Sequence, residues 1–468
     1  MTADAPATAQ AAASSAPARP RTPRRSPTDL SFRLDDGFVE RLGSAEPDWL
    51  AADRRDALDR FRALPVESNR LYTPYVDLRA AELEAVRPYE AGAGEAQGGV
   101  ALPEGTAALA ELREDTVDAL ELDDEARAAG VTLETIGQLV RRDPTTARRL
   151  LDDATTLPAQ DALAQLTRAA WNQGIAIRVP DGVRLDRPIV LRWTAGAPGR
   201  ALITRTIVEL GDGASASLVE ELVGPGSSSD GDGQALFTGT LEVRLGRDAE
   251  LAVASIQDFG PGQVVFQHRD ARIGEGASLH WALAQLGARL VRSRVDNRLL
   301  GDRSSVEQVE IVFGSDDQLF DLTSYTRHVG RDTTGNLLSK GALLDRSRSY
   351  MKGLIEIERS AVGTDSFLGE FGMNLSRQAR AVAIPSLEID QPDCRRAAHS
   401  SSVGPIDEAQ LFYLESRGIP PDEARKFIVL GFLEPVVARV PLTEAQDRLR
   451  DLLEAKWAAG SAAAAPAA

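Results

Sequence analysis

A turn sequence that returns at a nearly constant interval constrains the fold of this chain more than any other feature. It reads GDGASASL at 211–218, LGRDAEL at 245–251, GEGASL at 274–279 and LGDRSSVEQVEI from 300, so the starting points lie roughly 25 to 35 residues apart. After each copy, apolar and polar residues alternate, as they do in a strand that is buried on one face. Strands and turns that recur at a fixed interval are the signature of a solenoid or a propeller.

The low aromatic content separates these two repeat architectures. A propeller blade takes about four strands in ~40 to 50 residues and usually carries an aromatic motif, whereas only 5% of the residues here are aromatic. We therefore expect a parallel β-helix, in which each coil stacks on the previous one. Aliphatic residues that share a strand face, such as Leu202, Val208 and Leu210, should point into its continuous core.

Changes in periodicity divide the 468 residues into five regions. Residues 1–28 are rich in Ala, Pro, Ser and Arg and predict a disordered leader. Residues 29–172 predict an N-terminal helical domain, because apolar side chains recur there every three or four positions. Short Ile/Val/Leu runs cut by Pro and Gly predict the β-helix core over 173–397. Residues 398–458 predict a C-terminal helical domain, and 459–468 a disordered tail.

Start and stop signals support helices in the C-terminal region. Asp407 is placed to cap a first helix, with Gln410 three residues further on, and Gly418 is placed to end it. The helices that follow share with the first an apolar stripe formed by Leu411, Phe412, Leu414, Phe427, Ile428 and Leu430. A small helical module should therefore close the chain.

Composition limits the classes of function. The formal charge of -17, from 53 basic and 70 acidic residues, argues against nucleic acid as the main partner, since such binding needs a basic face. No run approaches the ~18 apolar residues of a membrane span. The single cysteine excludes an internal disulfide framework and fits a reducing compartment. We expect a cytoplasmic protein with no membrane partner, although the Arg-rich leader also fits an organelle transit peptide.

No sequence motif indicates catalysis by the chain itself. The P-loop pattern GxxxxGK[ST] is missing from the sequence, as are HExxH and GxSxG. We expect no enzymatic activity and no catalytic residue, so any ATP hydrolysis must come from a partner. The sequence gives no indication of a cofactor-binding residue.

The C-terminal third resembles a known family. AHSSSVGPIDEAQLFYLESRGIPPDEARKFIVLGFLEPVV, at 398–437, is similar to the C-terminal signature of the SufB and SufD families, in which a His-containing turn leads to D-E-x-Q-L-F-Y-L-x-S-R-G-I. Residues 353–390 resemble the last β-helix coils of the same families, with the pieces LS-x-x-A-x-A and P-x-LEI. RALPVESNRLYTPY, at 62–75, resembles their N-terminal helical region more loosely.

The resemblance implies a fold, a task and two partners. The expected fold is mainly β, a right-handed parallel β-helix core flanked by N-terminal and C-terminal α-helical domains. The expected task is that of a non-catalytic scaffold in the SUF system, which assembles iron-sulfur clusters. A SufB-like subunit should pair through the β-helix, and a SufC-like ABC ATPase should dock on the C-terminal helices. Because SufB usually carries several cysteines and this chain carries only Cys394, we place it on the SufD side.

The supply of soft ligands limits how a cluster is bound. Protein-bound clusters usually take about four Cys or His ligands, and the chain has one Cys and four His. We therefore expect no cofactor bound stably by this chain alone, and a transient iron-sulfur cluster shared with the SufB-like partner.

Two residues near position 397 are candidate metal ligands. His399 occupies the position of the SufD histidine that the family implies as a cluster ligand at the heterodimer interface, and its alternative role is that of a turn histidine bonded to backbone. Cys394 is a weaker candidate. The family often places a cysteine two residues before this histidine, whereas here Ala397 stands there and Cys394 lies five residues before.

The first C-terminal helix is the candidate partner-binding surface. Consecutive apolar residues in LFYL occupy more of its circumference than one core contact covers. The end of the β-helix could cover the excess, the resemblance implies the SufC-like ATPase, and both can hold. The residues that we expect at the ATPase interface are Leu411, Phe412, Tyr413, Arg417 and Phe427.

Two other functions stay open at the level of sequence. The chain could act as the SufB-like subunit itself or form a homodimer in its place. It could also be a β-helix polysaccharide lyase or hydrolase, for which Asp316, Asp317 and Asp321 offer a loose carboxylate group. Among the remaining histidines, His328 is expected to be structural, and His268 and His280 belong to no motif.

Overall fold

A stack of parallel strands dominates the computed structural model of the chain. The structure describes residues 25–90, 100–152, 158–225 and 233–463, with side chains as far as 460. The predicted leader therefore lies outside the described residues except for its last four. Within the described ranges, no helix is both long and apolar enough to cross a bilayer.

Helices lie at both ends of the chain and strands fill the middle. The helices are α1 (Asp36–Gly43), α2 (Asp48–Ala63), α3 (Asp124–Ala128), α4 (Ile136–Arg142), α5 (Pro144–Leu151), α6 (Ala162–Ala170), α7 (Glu408–Ser416), α8 (Pro421–Val437) and α9 (Thr443–Ala463), with a 3-10 turn at Thr73–Tyr75. The first strands are β1 (Arg87–Pro88), β2 (Ala108–Arg113), β3 (Thr116–Leu122), β4 (Thr132–Thr135), β5 (Gln173–Val179), β6 (Ile189–Thr194), β7 (Arg200–Leu210), β8 (Ser215–Val223), β9 (Ala235–Leu245) and β10 (Glu250–Asp258). The others are β11 (Gln263–Ile273), β12 (Ser278–Gln285), β13 (Leu290–Leu299), β14 (Ser305–Gly314), β15 (Leu319–His328), β16 (Thr334–Leu343), β17 (Arg348–Ile357), β18 (Asp365–Asn374), β19 (Arg380–Ile389) and β20 (Arg396–Gly404).

Strands β5 to β20 alternate between two parallel sheets. Odd-numbered strands pair with one another in the first sheet and even-numbered strands in the second. Two strands make one coil, so the sixteen strands from β5 to β20 form eight coils. Leu202, Val208 and Leu210 lie in the core between the sheets and are at most 1% exposed. The predicted parallel β-helix, with helices at both ends of the chain, is confirmed.

Close stacking of turns explains the recurrent glycine. At Gly301 and Gly330, a β-carbon would come within 3.0 Å of backbone atoms of the preceding coil, which real β-carbons essentially never do. Aspartates in the same turns join neighbouring coils, since the Asp302 carboxylate accepts the backbone N–H of Arg331 at 2.8 Å. The close spacing between coils therefore explains the turn motif.

The N-terminal region packs on the outer face of the first sheet and contains strands as well as helices. Side chains of α1, α2 and α6 form one apolar cluster with Ile203 and Ile207 of β7. Strands β2 and β3 extend the second sheet, and β4 extends the first. The prediction of helices alone over 29–172 is therefore incomplete, because the alternation in TVDALEL of β3 follows a strand period. Arg25, inside the predicted leader, donates to the Ala81 carbonyl at 3.0 Å.

A buried ion network joins the N-terminal region to the solenoid. Arg292 of β13 donates to Glu67 Oε2 at 2.9 Å and lies 3.4 Å from Asp321 Oδ2. Lys352 of β17 also pairs with Asp321. All four side chains are at most 7% exposed, and their two positive and two negative charges balance. This network positions the segment after α2 across β13, β15 and β17.

The C-terminal helices α8 and α9 pack on the outer face of the second sheet. Val429 and Leu433 of α8 are buried in a cluster with residues of β12 and β14. Lys456 of α9 donates to Gln318 Oε1 at 2.7 Å, and burial lowers the pKa of this amine to about 8. Helix α9 continues to Ala463, so the tail predicted from 459 begins too early.

Candidate functional site

The solenoid is open at its C-terminal end. Strand β19 pairs only with β17 and strand β20 only with β18, so both sheets end in an unpaired edge among the described residues. Inward positions that are buried in β18 become exposed or half-buried in β20. The last coil therefore presents the inner face of the solenoid to its surroundings.

His399 lies on this inner face. It pairs in register with Leu368 of β18, which is fully buried. Val403, four residues further along β20, lies so near Gly372 that a β-carbon there would be 3.2 Å from Val403 Cγ2. The odd-numbered residues of β20 therefore face inward, and the His399 side chain is exposed because no further coil of the described chain covers it.

The structure corrects the local setting of His399. The predicted turn is a strand that runs to Gly404, so the boundary between β-helix and helices placed at 397/398 is wrong. The expectation of a turn rests on the family signature alone. Among the described residues, no hydrogen bond involves the imidazole, which argues against the role of a turn histidine bonded to backbone.

Cys394 lies in the turn before β20 and is half-buried. It packs, with Leu387 and Ala397, against a small apolar cluster that includes Leu368. The described part of the chain brings together no group of three or more His, Cys, Asp or Glu side chains able to hold a metal ion. An ion bound at the open end would therefore need ligands from elsewhere in addition to those of this chain.

Glu370 is a polar residue of the open end that sequence reasoning missed. It pairs in register with Ser401 and is 1% exposed. Its Oε2 accepts the backbone N–H of Ile384 at 2.7 Å, and burial raises the pKa of the carboxyl to about 8. The signal was available, because the period of two in SFLGEFGM places this acid on the same face as Ser366, Leu368 and Gly372.

The other three histidines have ordinary structural or surface roles. His328 is fully buried, with Nδ1 at 2.8 Å from Thr333 Oγ1 and Nε2 at 3.1 Å from Ser366 Oγ. His268 contacts a buried aspartate, and His280 is half-buried beside a glutamate. The expected structural role of His328 is therefore confirmed.

We expect His328 to make the stability of the chain depend on pH. Burial lowers its pKa from 6.5 to about 4, so between these values the unfolded chain binds a proton that the folded chain excludes. The free energy of unfolding should therefore fall by about 3 kcal/mol as the pH drops from 6.5 to 4. Urea unfolding at several pH values should show the stability advantage of wild type over His328→Asn shrinking in this range. Parallel curves for the two proteins would contradict the assignment, and His280→Asn, at a half-buried position, serves as the control.

Helix α7 carries an uncovered aromatic surface. It has no buried residue, and Phe412 is 73% and Tyr413 55% exposed. Phe427 of α8 is 61% exposed, and the Arg417 guanidinium lies 5.1 Å from the centre of the Tyr413 ring. The end of the β-helix leaves these three aromatic side chains exposed. Asp407 caps α7 as predicted, because it accepts the N–H of Ala409 at 2.8 Å.

The carboxylates proposed for a carbohydrate-active enzyme do not converge. Asp317 is exposed and pairs with Arg346 at 2.7 Å. Asp321 is buried in the ion network beneath the N-terminal segment, and Asp316 occupies a turn with positive φ. Acid and base therefore do not face one another as glycoside hydrolysis requires.

Fold and site together define a parallel β-solenoid protein with one uncovered end. The family model described as "SUF system FeS cluster assembly, SufBD core domain" matches residues 193–432, more than half of the 468-residue chain. The chain therefore belongs to the SufBD family of SUF-system iron-sulfur cluster assembly proteins.

Curated relatives agree with this assignment. The chain is 26% identical over 419 residues to the iron-sulfur cluster assembly protein SufD of Bacillus subtilis, covering 88% of this chain and 94% of that protein. It is 27% identical over 298 residues to a SufBD family protein of Staphylococcus epidermidis, or 64% of this chain and 63% of that protein. A SufBD family protein of Mycobacterium tuberculosis is 28% identical over 301 residues, or 63% of this chain and 74% of that protein. The first match supports the SufD branch of the family.

Proposed function

We propose that the chain is a non-catalytic scaffold subunit of a SUF iron-sulfur cluster assembly complex, which pairs with a SufB-like subunit through its last coil. The observation that carries this proposal is the open end of the solenoid. Strands β19 and β20 are ten and nine residues long and leave a row of unpaired backbone groups on each sheet. Native proteins rarely leave such edges bare, because they invite pairing with another chain.

The surface of the last coil suits a protein partner. Ile389 of β19 is 44% and Val403 of β20 40% exposed, so apolar side chains accompany the free backbone groups. Strands of a similar solenoid would extend both sheets and cover the inner face with a further coil. A SufB-like subunit is the partner that family membership favours.

A second surface, on α7 and the start of α8, would dock a SufC-like ABC ATPase. Its residues are Leu411, Phe412, Tyr413, Arg417 and Phe427. Exposed aromatic residues with an arginine beside them are the usual centres of interface energy. The buried side of α8 rests on the second sheet, so an ATPase bound to α7 would be linked to the solenoid through packed side chains.

His399 would act as one ligand of a transient iron-sulfur cluster at the junction with the SufB-like subunit. A neutral imidazole is a competent iron ligand, and the exposed inner face of β20 directs it toward the partner. Cys394 packs on apolar side chains and is the weaker candidate. With so few ligands, the chain alone would hold no stable cluster. We place this work in the cytoplasm, in keeping with the single cysteine of the sequence.

Removing the aromatic and arginine side chains of α7 should weaken ATPase binding. For the double variant Tyr413→Ala/Arg417→Ala, we expect at least a roughly 30-fold loss of affinity for the SufC-like ATPase of the same organism. Both side chains lie on a helix without buried residues, so the solenoid should stay folded. Calorimetric titration of the purified full-length chain with the ATPase measures the loss, and circular dichroism checks the fold.

Two comparisons make this test specific. Leu71→Ala removes an apolar residue that is 60% exposed near the other end of the chain and should leave ATPase binding unchanged. Binding of the SufB-like subunit should survive the α7 substitutions. Equal ATPase affinity of variant and wild type would sink the docking surface. A wild-type chain that binds neither protein at micromolar concentration would sink the scaffold proposal.

A further inference from the structure

Glu370 is a buried carboxylate of the solenoid interior that has no cationic partner among the described residues. Glu220, on the same inner face, accepts from Arg269 at 3.1 Å. Among the described residues, no arginine or lysine pairs with Glu370, and its one hydrogen bond is that from Ile384 to Oε2. A buried acid without a counter-charge is costly, so its presence calls for an explanation.

The position of Glu370 offers an explanation for its burial. It lies on β18, one strand inside the open edge, and its partner in register is Ser401 of β20. His399 stands two residues before Ser401 on the same inward face. Neighbouring strands lie about 4.8 Å apart and alternate residues of a strand about 6.6 Å apart, so the two Cα atoms are separated by about 8 Å. An imidazole and a carboxylate can reach one ion across this span, with metal bonds of about 2 Å.

We propose that Glu370 and His399 together bind a ferrous ion at the open end of the solenoid, with Oε1 of Glu370 as the second ligand of this chain. The inference rests on the proposed role of His399 and adds a carboxylate to it. Carboxylate and imidazole are donors that suit ferrous iron, and Oε1 accepts no hydrogen bond among the described residues. Oε1 lies over Gly353 of β17, where a β-carbon would be 2.9 Å from it. The remaining ligands would come from water and, in the complex, from the SufB-like subunit.

A competing explanation gives Glu370 only a structural role. Its Oε2 accepts the N–H of Ile384, next to Pro385 in edge strand β19, and this bond alone could hold the last coil in place. The two roles separate in Glu370→Gln. A glutamine oxygen still accepts the backbone N–H, whereas a neutral amide is a poor ligand for ferrous iron. Loss of metal binding with an intact fold therefore identifies a ligand.

Anaerobic titration of the tag-free, full-length chain with ferrous ion tests the proposal. We expect Glu370→Gln and His399→Ala each to weaken binding at least tenfold, with little further loss in the double variant because both remove the same site. Glu310→Gln is the matched control, since Glu310 is a buried inward carboxylate deeper in the solenoid, bonded to Ser293 and Gln285. It should change the affinity less than twofold, and thermal unfolding should confirm that all variants are folded.

Each outcome bears on the proposal separately from the scaffold function. Wild-type affinity in Glu370→Gln overturns it and leaves Glu370 as a cap of the edge strand, as does a wild-type chain that binds no ferrous ion. A large loss in Glu370→Gln alone, with His399→Ala unaffected, also overturns the paired site. Co-elution of Glu370→Gln with the SufB-like and SufC-like proteins is measured in parallel. If Glu370→Gln still co-elutes but no longer binds iron, both the iron site and the scaffold function are supported. If the wild-type chain does not co-elute with the two proteins, only the scaffold function is contradicted.

Discussion

Alanine at Gly301 should lower the free energy of unfolding by about 3 kcal/mol or more. Its β-carbon would come within 3.0 Å of the backbone nitrogen and Cα of Glu275 in the preceding coil. Backbone atoms in the middle of a stacked solenoid cannot move aside without separating two coils, so the strain spreads to both neighbours. Urea unfolding, followed by circular dichroism of the sheet signal, measures the loss.

Gly260→Ala is the control for this substitution. Gly260 also lies in a turn between coils, but a β-carbon there meets nothing within 4 Å, and its backbone φ lies outside the left-handed region. Its effect on stability should be within about 1 kcal/mol in either direction. Equal effects of the two substitutions would show that turn glycines matter for chain entropy rather than for coil spacing. Gly330→Ala, where Gly301 is the obstructing neighbour, should behave like Gly301→Ala.

The same contact explains why the solenoid was predictable from sequence. Five successive coils have a glycine at this close approach, at Gly211, Gly246, Gly274, Gly301 and Gly330, with a short polar turn beside it. The requirement therefore appears in the sequence as a repeated motif. The inward positions of β7 follow from the period of two, which correctly placed Leu202, Val208 and Leu210 in the core. A turn motif and a strand period that recur in successive coils can be recognised from sequence because each copy supports the others.

Features that occur once, or that depend on distant parts of the chain, were not predictable in this way. Strands β2 and β4 pair with β6 and β5, which lie far along the sequence, so their own short patterns are ambiguous. Strand β20 has few apolar residues, since no coil of the described chain covers it. Its sequence therefore does not show the alternation that predicts a strand. The family signature singles out the His399 position. The period of two places Glu370 on the inner face, but its closeness to the open edge follows only once it is known which strand is the last.

Charge burial is the other property that local sequence hides. In the alternating patterns of β13 and β17, Arg292 and Lys352 look like surface residues. In the structure, Arg292 is 3% exposed and Lys352 is 1% exposed. Their partner Glu67 lies more than 200 residues earlier and arrives only when the N-terminal segment folds across the first sheet. The ion network is thus a tertiary feature that fixes where the N-terminal region sits on the solenoid.

Replacing Arg292 with methionine should cost about 3 to 5 kcal/mol of stability. Methionine keeps much of the side-chain volume but removes the cation that lies between Glu67 at 2.9 Å and Asp321 at 3.4 Å, leaving two buried carboxylates beside Lys352 alone. Urea unfolding at pH 7 should show the loss, and limited proteolysis should show earlier cleavage after α2, because Glu67 no longer holds that segment.

Adding Glu67→Gln to Arg292→Met should recover part of the stability, since it removes the negative charge that is left without a partner. Arg346→Met, which breaks an exposed pair with Asp317, should leave the unfolding midpoint nearly unchanged. Equal effects of the two arginine substitutions would show that the ion network does not anchor the N-terminal region. The anchor would then be the apolar packing of α2 and α6.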